Sequence, residues 1–521
     1  MSKLVFVLAF LSITLIGCQS QPISKSKKPE NVILMIGDGM GPGQINLLYH
    51  FLKNTKHPDF KDTRFAFERM SQKNPVAISV TNPHDNIVTD SACSATQLAT
   101  GRSSRSGMIG LDYNGNPVET ILEKAQKRKM LTGLVSDTRL THATPASFAA
   151  HVTSRNLENE IASQMLEVGP DVLLSGGARH FTPQGTKLKL TGSFKVKSKR
   201  TDKRNLLLEA HKKGYQVIHN KNQLQNINKD KKLLGLFAKS GMKDAIWQNN
   251  HKNDPKRKTP NLLEMSQAAI KKLSTPNNGF FLMIEGGQID WAGHANDAGA
   301  LLHEMLVFNE TLNWVLDWID ENPETLLVVT ADHETGGFGM GYHVRNIPAP
   351  IPLPGIMFKN EIFKYTANFG SYSDLNFLYN QKMSLGDLWR EFKDLPKNAG
   401  TAESLRRRVK YVTGLEMTKK QSRAVFKDQK NRFHDPKNPK LPRMLPKVSD
   451  YEAFNYQPNN IRTSLIARAI SDQQNIIWGT GGHTSTSVHV YSYGKDGSTT
   501  PFSGRLSHPK IGRLLINALK N

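Results

Sequence analysis

The sequence predicts an α/β fold in which a mostly parallel central sheet is covered by helices on both faces. An unbroken apolar run at residues 31–36 and similar, mostly apolar runs at 131–135, 171–175, 279–284 and 325–330 are typical of strands buried on both sides. Helix-periodic patterns lie between these runs, and strands that alternate with helices favour a parallel sheet. Polar residues follow several of the runs, at the strand ends where open α/β sheets gather their functional groups.

The clearest helical patterns span residues 119–129, 261–273 and 298–319, the last of which is long and amphipathic. Two stretches interrupt the alternation of strands and helices. Residues 185–260 are rich in Lys and Asn, and residues 343–460 contain proline-rich and basic pieces. We interpret the second stretch as an insertion or cap with a solvated basic face, because a basic run alone is weak evidence for a nucleic-acid groove.

The composition excludes several classes of protein and suggests anionic partners. The chain has 521 residues, with 69 Lys and Arg against 45 Asp and Glu, a formal net charge of +24. Its length excludes a disulfide-stapled miniprotein, and 38% hydrophobic residues exclude a fully disordered or collagen-like chain. The positive charge favours phosphates, nucleic acid or a membrane surface as partners, without choosing among them.

The N-terminus predicts export. Lys3 precedes an apolar run of about 13 residues, which is short for a membrane span and typical of a signal peptide. The run ends in Leu-Ile-Gly-Cys18, which resembles a bacterial lipoprotein signal. We therefore expect residues 1–17 to be removed, Cys18 to carry lipid and residues 18–30 to act as a tether. The protein would then face the periplasm or cell surface on a bacterial membrane; a plain signal peptide cut nearby is the alternative.

Cysteine usage indicates how the exported chain is stabilised. Only Cys18 and Cys93 are present, so a lipidated Cys18 leaves Cys93 without a disulfide partner. Packing or bound metal must then provide the stability that disulfides provide in many exported proteins.

Potential metal ligands follow five strand-like runs. They are Asp38, His142 with Thr144, Glu285 with Asp290 and His294, Asp332 with His333, and His483. Asp290 and His294 are four residues apart, so on a helical turn they share a face. Carboxylates with imidazoles suit zinc, and oxygen ligands suit magnesium. Each residue alone is also an ordinary turn or surface residue; their shared position after strands favours a metal site.

Ser91 is the candidate nucleophile and Arg155 the candidate phosphate ligand. Asp90 and Ser91 precede an Ala-rich segment, as at a helix N-terminus, where backbone N–H groups and the helix dipole favour a phosphate. The alternative is that Asp90 or Ser91 only caps the helix. Arg155 could hold two phosphoryl oxygens with its planar guanidinium, or be a surface charge. We expect Cys93 to be a packing residue, since nothing marks a stabilised thiolate.

Taken together, these motifs resemble those of the alkaline phosphatase family and appear in that family's order. The resemblance covers most of residues 31–341 and 475–518. The strings that carry it are IGDGMG (36–41), TDSACSAT (89–96), HATPA (142–146), HVTSR (151–155), Glu285 with Asp290 and His294, TADH (330–333) and GHT (482–484).

The resemblance implies an alkaline phosphatase-like sheet formed by residues 31–342 and 461–521, with residues 343–460 as the insertion. It also implies two Zn²⁺ ions and one Mg²⁺ ion. One Zn²⁺ ion would be bound by Asp290, His294 and His483, and the other by Asp38, Asp332, His333 and the Ser91 oxygen. The Mg²⁺ ion would be bound by Asp38, Thr144 and Glu285. Arg155 would bind the phosphate together with Ser91.

Two positions vary within the family. His142 stands where some bacterial members have Asp, so it is a candidate ligand of the third ion, whose identity stays open. Trp291 stands where some members have Lys or His, and it is a candidate substrate-binding residue. The combination of His142 and Trp291 resembles marine bacterial members.

The function that the resemblance implies is hydrolysis of small-molecule phosphate monoesters through a phosphoserine at Ser91, with release of inorganic phosphate. A homodimer is expected from the family, and no specific nucleic-acid partner is expected. A phosphodiesterase of the same superfamily is one alternative, although Arg155 favours monoesters. A lipid-anchored, basic phosphate- or nucleic-acid-binding protein without activity is an alternative from a different class. A sulfatase is disfavoured because its modified Cys or Ser nucleophile is followed two residues later by proline, and Cys93 stands at that position after Ser91.

Overall fold

The computed structural model describes residues 28–185, 187–190, 194–275, 278–355, 357, 359, 361–396, 398–438, 441–448, 460–495 and 497–520. The predicted signal peptide, Cys18 and most of the predicted tether lie outside the described residues. Within the described residues, no helix combines the length and the apolar character that a bilayer crossing would need.

The strands and helices of the described residues are numbered here in chain order. Strands β1 to β20 are Asn31–Gly37, Ala77–Val80, Leu131–Arg139, Val172–Gly176, Lys187–Leu190, Phe194–Lys197, Tyr215–Ile218, Lys232–Leu236, Phe280–Gly286, Thr325–Thr330, Glu334–Thr335, Phe338–Met340, Ile351–Pro352, Ile362–Phe363, Asp428–Lys430, Met444–Pro446, Ile476–Trp478, His483–Thr484, Val488–Tyr493 and Arg505–Ser507. Helices α1 to α17 are Pro42–Asn54, Ala66–Lys73, Ser91–Thr100, Ile121–Lys127, Ala143–Ala146, Glu158–Val168, Leu206–Lys212, Ala245–Asn250, Leu262–Leu273, Gln288–Ala295, Ala298–Glu321, Leu375–Tyr379, Leu385–Lys393, Ala402–Thr413, Lys419–Val425, Ile461–Ile470 and His508–Ala518.

A ten-stranded sheet forms the centre of the molecule, in the order β20-β2-β19-β10-β1-β9-β3-β4-β8-β7. Every pairing in it is parallel except the two made by β19, which runs antiparallel to β10 and β2. The predicted α/β fold with a mostly parallel sheet is confirmed. Strand β1 lies between β10 and β9, so the residues that follow these three strands meet at one edge of the sheet.

Both faces of the sheet are covered, and β1 shows this residue by residue. Ile33 and Met35 pack into the hydrophobic cluster that includes α1, α9 and α11. Val32, Leu34 and Ile36 pack into the opposite cluster, which includes α3, α4, α6 and α17. Successive side chains of a strand point to opposite faces, so a strand with helices on both sides must be apolar at every position.

Polar caps determine where the predicted helices begin. Thr120 and Glu123 form a capping box at the start of α4, and Asn261 with Glu264 forms one at the start of α9. The Asp297 side chain accepts a hydrogen bond from the Ala300 N–H at the start of α11. Each cap satisfies backbone N–H groups that have no partner in the first turn of a helix.

Part of residues 185–260 belongs to the central sheet, and the expectation that this stretch interrupts the fold is wrong there. Strands β7 and β8 add two parallel strands beyond β4. Leu233, Leu234 and Leu236 of β8 are fully buried. Most of the lysines in this stretch lie outside β7 and β8, in loops and in the β5–β6 ribbon, so the lysine-rich composition conceals these two short strands.

Residues 343–460, the predicted insertion, contain helices α12 to α15 and the two-stranded ribbons β13–β14 and β15–β16. Helices α13, α14 and α15 pack around a separate hydrophobic cluster centred on Leu388, Leu405 and Val409. This cluster also includes Ile466 and Ile470 of α16, which lies beyond the predicted boundary at 460. The insertion's boundaries stay a prediction.

Candidate active site

Ser91 is the first residue of α3, directly after the Asp90 cap. The Asp90 carboxylate accepts hydrogen bonds from the Cys93 N–H at 3.1 Å and the Gly107 N–H at 2.9 Å. Ser91 is buried, and its Oγ lies 3.3 Å from His333 Nε2. The hydroxyl therefore sits at the positive end of a ten-residue helix, where a phosphate is favoured.

Asp38, Asp332 and His333 meet where β1 and β10 end. His333 Nε2 lies 3.1 Å from Asp332 Oδ2 and 3.6 Å from Asp38 Oδ1. Asp332 Oδ1 accepts from the Gly39 and His333 backbone N–H groups. Among the described residues, both Asp38 oxygens and Asp332 Oδ2 are buried without a hydrogen-bond partner. Buried carboxylate oxygens need compensation, and a divalent cation provides it.

Asp290, His294 and His483 form a second group. His294 Nε2 lies 3.4 Å from Asp290 Oδ2 and 3.2 Å from His483 Nε2. His294 Nδ1 is bonded to the Gly481 carbonyl at 2.7 Å and His483 Nδ1 to the Thr89 carbonyl at 2.8 Å. His483 stays neutral because burial lowers its pKa, so with its Nδ1 donating to the Thr89 carbonyl it presents an Nε2 lone pair to the group. Two imidazole nitrogens and a carboxylate this close together are a donor set that suits zinc.

Asp38, His142 and Glu285 form a third group around the end of β9, and Thr144 lies in the short helix α5 that follows His142. His142 Nδ1 lies 4.0 Å from Glu285 Oε1. These two atoms and Thr144 Oγ1 are buried and have no hydrogen-bond partner within the part of the chain that the structure describes. The other Glu285 oxygen accepts from Ser136 and Thr138. The donor set fits a third cation, with Asp38 shared between two sites.

His142 has two roles that exclude each other. Arg155 Nη2 lies 3.2 Å from His142 Nε2, which must be unprotonated to accept that bond. A neutral imidazole then carries its proton on Nδ1, the atom that faces Glu285. If Nδ1 bound a cation, the proton would move to Nε2 and the bond from Arg155 would be lost. His142 can therefore serve either the third cation or Arg155.

Arg155 and Trp291 line the cavity that contains Ser91. Arg155 Nη1 donates to Asp90 Oδ2 at 3.0 Å, so the guanidinium sits beside the start of α3. The Trp291 ring meets the His142 ring edge to face, with the centroids 5.9 Å apart. Both residues line a cavity of about 1250 Å³ together with Ser91 and His483.

The charges at the site are poorly balanced by the protein alone. Burial, and then the negative charges of Asp332, Asp290 and Glu285, raise the pKa of Asp38 well above its usual value. Burial and the neighbouring His333 lower the pKa of His483 to about 3. Without a cation the site thus favours a protonated Asp38 beside a neutral His483. Carboxylates bind metal in the deprotonated form, so a bound divalent cation would displace that proton and balance the clustered negative charge.

Two residues that support the site, Asp137 and Thr335, were not predicted from the sequence. Asp137 Oδ1 accepts from the Gly287 N–H at 2.7 Å and the Gln288 N–H at 3.2 Å, so it holds the start of the helix that carries Asp290. Thr335 Oγ1 donates to Asp290 Oδ1 at 2.6 Å. Asp137 lies in β3 two residues after the predicted strand-like run at 131–135, and a buried carboxylate just after such a run is the signal that could have revealed it.

Cys93 lies in α3 with its side chain buried, as expected for a packing residue. Burial, and then the charge of Asp90, raise the pKa of its thiol to about 12. The thiol is therefore protonated near neutral pH and is a poor nucleophile.

Known proteins resemble this chain in fold and in sequence. A family model described as alkaline phosphatase matches residues 29–521. Alkaline phosphatase 3 of Bacillus subtilis (strain 168) is 30% identical over 523 residues, which cover 98% of this chain and 94% of that protein. The Thermus thermophilus alkaline phosphatase structure superimposes with a TM-score of 0.75 at 25% identity, covering 95% of this chain and 92% of the other. A cold-active alkaline phosphatase from a psychrophilic Shewanella has a TM-score of 0.68 at 27% identity, covering 94% and 100%.

Proposed function

The chain belongs to the alkaline phosphatase family, and on that premise we propose that it hydrolyses phosphate monoesters through a phosphoserine at Ser91 in a metal-dependent reaction. The observation that carries the proposal is the position of the Ser91 hydroxyl. It lies at a helix N-terminus, 3.3 Å from His333 and in the same cavity as Arg155. A nucleophile, an anion-binding helix end and a guanidinium are the parts that phosphoryl transfer requires.

The first half of the reaction transfers the phosphoryl group to the enzyme. Ser91 Oγ forms a bond to phosphorus while the bond from phosphorus to the alcohol oxygen breaks, and the alcohol leaves. Arg155 and the backbone N–H groups at the start of α3 hold the phosphoryl oxygens in line for this exchange. Asp90 keeps the guanidinium beside Ser91 through its 3.0 Å bond.

The second half regenerates the enzyme. A water oxygen forms a bond to phosphorus, the bond from phosphorus to Ser91 Oγ breaks, and the serine hydroxyl and inorganic phosphate are released. Asp290, His294 and His483 line the same cavity as Ser91, where they would orient that water.

We assign two Zn²⁺ ions and one Mg²⁺ ion to the site. Zinc ligands would be Asp290, His294 and His483 at one position, and Asp38, Asp332, His333 and Ser91 at the other. When bound, the cations supply Lewis acidity that lowers the pKa of the serine hydroxyl and neutralises charge on the departing alcohol oxygen.

Asp38, Thr144 and Glu285 would hold the third ion. Variants of TAB5 alkaline phosphatase in which a histidine is replaced by Asp or Glu carry Mg in a site called M3. By analogy, the His142 position decides how well the third ion is held here. Arg155 and the third cation compete for His142, and this competition also indicates that the residue at this position affects how well the third ion is bound.

A phosphoserine trap tests the nucleophile. The protein would be incubated with a chromogenic phosphomonoester, quenched in acid and digested, and the peptide that contains Ser91 would be weighed by mass spectrometry. We expect phosphate on Ser91 in the wild type, and neither phosphate nor a burst of alcohol in Ser91→Ala. Ser106→Ala, an exposed serine on a neighbouring loop, is the matched control. Equal bursts in the wild type and Ser91→Ala would overturn the assignment.

Rates on a monoester and a diester of the same alcohol test the substrate class. We expect the monoester to be hydrolysed at least about 100-fold faster, because Arg155 and the helix end would bind oxygens that a diester has esterified. A faster diester rate would support the phosphodiesterase alternative.

We also propose export with lipid on Cys18, on the strength of the N-terminal sequence, and a homodimer, on the strength of the family. Radiolabelled palmitate should enter the wild type and not Cys18→Ala in a bacterial host. Light scattering of the purified protein should give twice the mass of one chain; the mass of a single chain would overturn the dimer.

A further inference from the structure

Five lysines line the active-site cavity together with Ser91, and we call this set the lysine wall. They are Lys195 on β6, Lys239 and Lys243 in the loop after β8, and Lys256 and Lys258 in the loop after α8. All five are exposed. In the part of the chain that the structure describes, no carboxylate lies within salt-bridge distance of any of them. They come from the lysine-rich stretch that the catalytic site itself does not use.

The acidic residues of the same cavity are already engaged. Asp244 accepts from the Trp247 N–H at 2.8 Å and from Ser384 Oγ at 2.9 Å. Asp387 pairs with Arg390. Asp297 is buried and accepts bonds at the starts of α11 and α13. Eight Lys and Arg residues line the cavity against six Asp and Glu residues, so the net charge that the cavity presents to a ligand is positive.

The cavity is also larger than a simple phosphate ester needs, and it offers aromatic surface. Its volume of about 1250 Å³ exceeds the usual range of small-molecule sites. Trp247 stacks on His251 with ring centroids 4.1 Å apart, and Lys243 Nζ lies 5.4 Å from the Trp247 ring centroid. Lysines beside an indole suit a ligand that combines a further phosphate with an apolar or aromatic body.

We infer that this lysine wall binds a second phosphate on the leaving group, so that the enzyme prefers phosphomonoesters of alcohols that themselves carry phosphate. The inference rests on the proposed function, since it places the scissile phosphate at Ser91. A phosphate bound along the wall would orient the leaving alcohol and increase the local concentration of doubly phosphorylated substrates through electrostatic attraction.

The test compares adenosine 5′-phosphate with adenosine 3′,5′-bisphosphate, which differ by one phosphate. We expect kcat/KM to be about 20-fold higher for the bisphosphate at low salt, well above the twofold that two equivalent phosphates would give, and the preference to shrink at high salt. In a variant with Lys239, Lys243, Lys256 and Lys258 changed to Gln, the ratio should fall to about 2. The same four positions changed to Arg should retain it, because the charge is kept.

A matched control removes lysines elsewhere. Lys212, Lys420 and Lys510 are exposed and lie outside the cavity, so changing them to Gln should leave the ratio and the rates unchanged. A ratio near 2 in the wild type, or equal ratios in the cavity variant and the wild type, would overturn the inference and leave the proposed function standing. A wild type that hydrolyses neither substrate would overturn the proposed function and this inference with it.

Discussion

Replacing Asp137 with Asn should stabilise the metal-depleted protein increasingly as the pH rises. Burial, and then the negative charge of Glu285, raise the pKa of Asp137 to about 8. In the unfolded chain the same carboxyl has a pKa of about 3.9. Between these two values the folded protein binds the proton and the unfolded chain does not, so the wild type loses stability as the pH rises through this window.

The magnitude follows from the width of that window. Each pH unit within it lowers the free energy of unfolding by about 1.4 kcal/mol, so raising the pH from 5 to 8 lowers it by about 4 kcal/mol. Asn has no such proton to lose, and its carbonyl oxygen can still accept from the Gly287 and Gln288 N–H groups, where Asp137 now accepts at 2.7 and 3.2 Å. Asp137→Asn should therefore gain about 4 kcal/mol relative to the wild type between pH 5 and pH 8 or above.

Equilibrium urea unfolding of the metal-depleted protein at pH 5 and pH 9 measures this difference. Asp62→Asn, an exposed carboxylate, is the matched control and should change stability equally little at both pH values. If the stability difference between Asp137→Asn and the wild type stayed constant with pH, the buried proton on Asp137 would be refuted. If the variant lost stability at pH 9, the role of Asp137 would lie in its charge rather than in its hydrogen bonds.

Three further predictions concern the metals and the cavity. A strong chelator should abolish activity, and Zn²⁺ with Mg²⁺ should restore it; full activity of protein shown by elemental analysis to be metal-free would contradict the orphaned carboxylates as metal ligands. His142→Asp should bind Mg²⁺ about tenfold more tightly in calorimetry, because a carboxylate is a harder ligand than imidazole and can accept a bond from Arg155 without a change of tautomer. Unchanged affinity would count against the third site. Gly241→Ala would place a Cβ 2.4 Å from the Trp291 ring and should raise KM roughly tenfold, whereas Gly339→Ala meets open space and should not; equal KM values would remove Trp291 from substrate binding.

The local features of the site could be predicted from the sequence. Apolar runs before Asp38 and Asp332 revealed strands, because a strand buried on both faces cannot tolerate polar residues. The cap at Asp90 revealed where a helix begins, and so placed Ser91 at its N-terminus. The position of His483 was predicted less well: it begins β18, which pairs with β11 in a two-stranded ribbon and does not belong to the central sheet.

Local pattern determined the strands, the helix starts and the types of ligand in this protein, since periodicity and capping depend on neighbours in the chain. Tertiary structure alone decided which of these groups face each other. It placed His294 Nε2 3.2 Å from His483 Nε2 and brought Arg155 within hydrogen-bond distance of the His142 imidazole. It also brought lysines from separate segments to the lining of the active-site cavity. These contacts join residues far apart in sequence, and their geometry depends on strand order and packing, which no local pattern encodes.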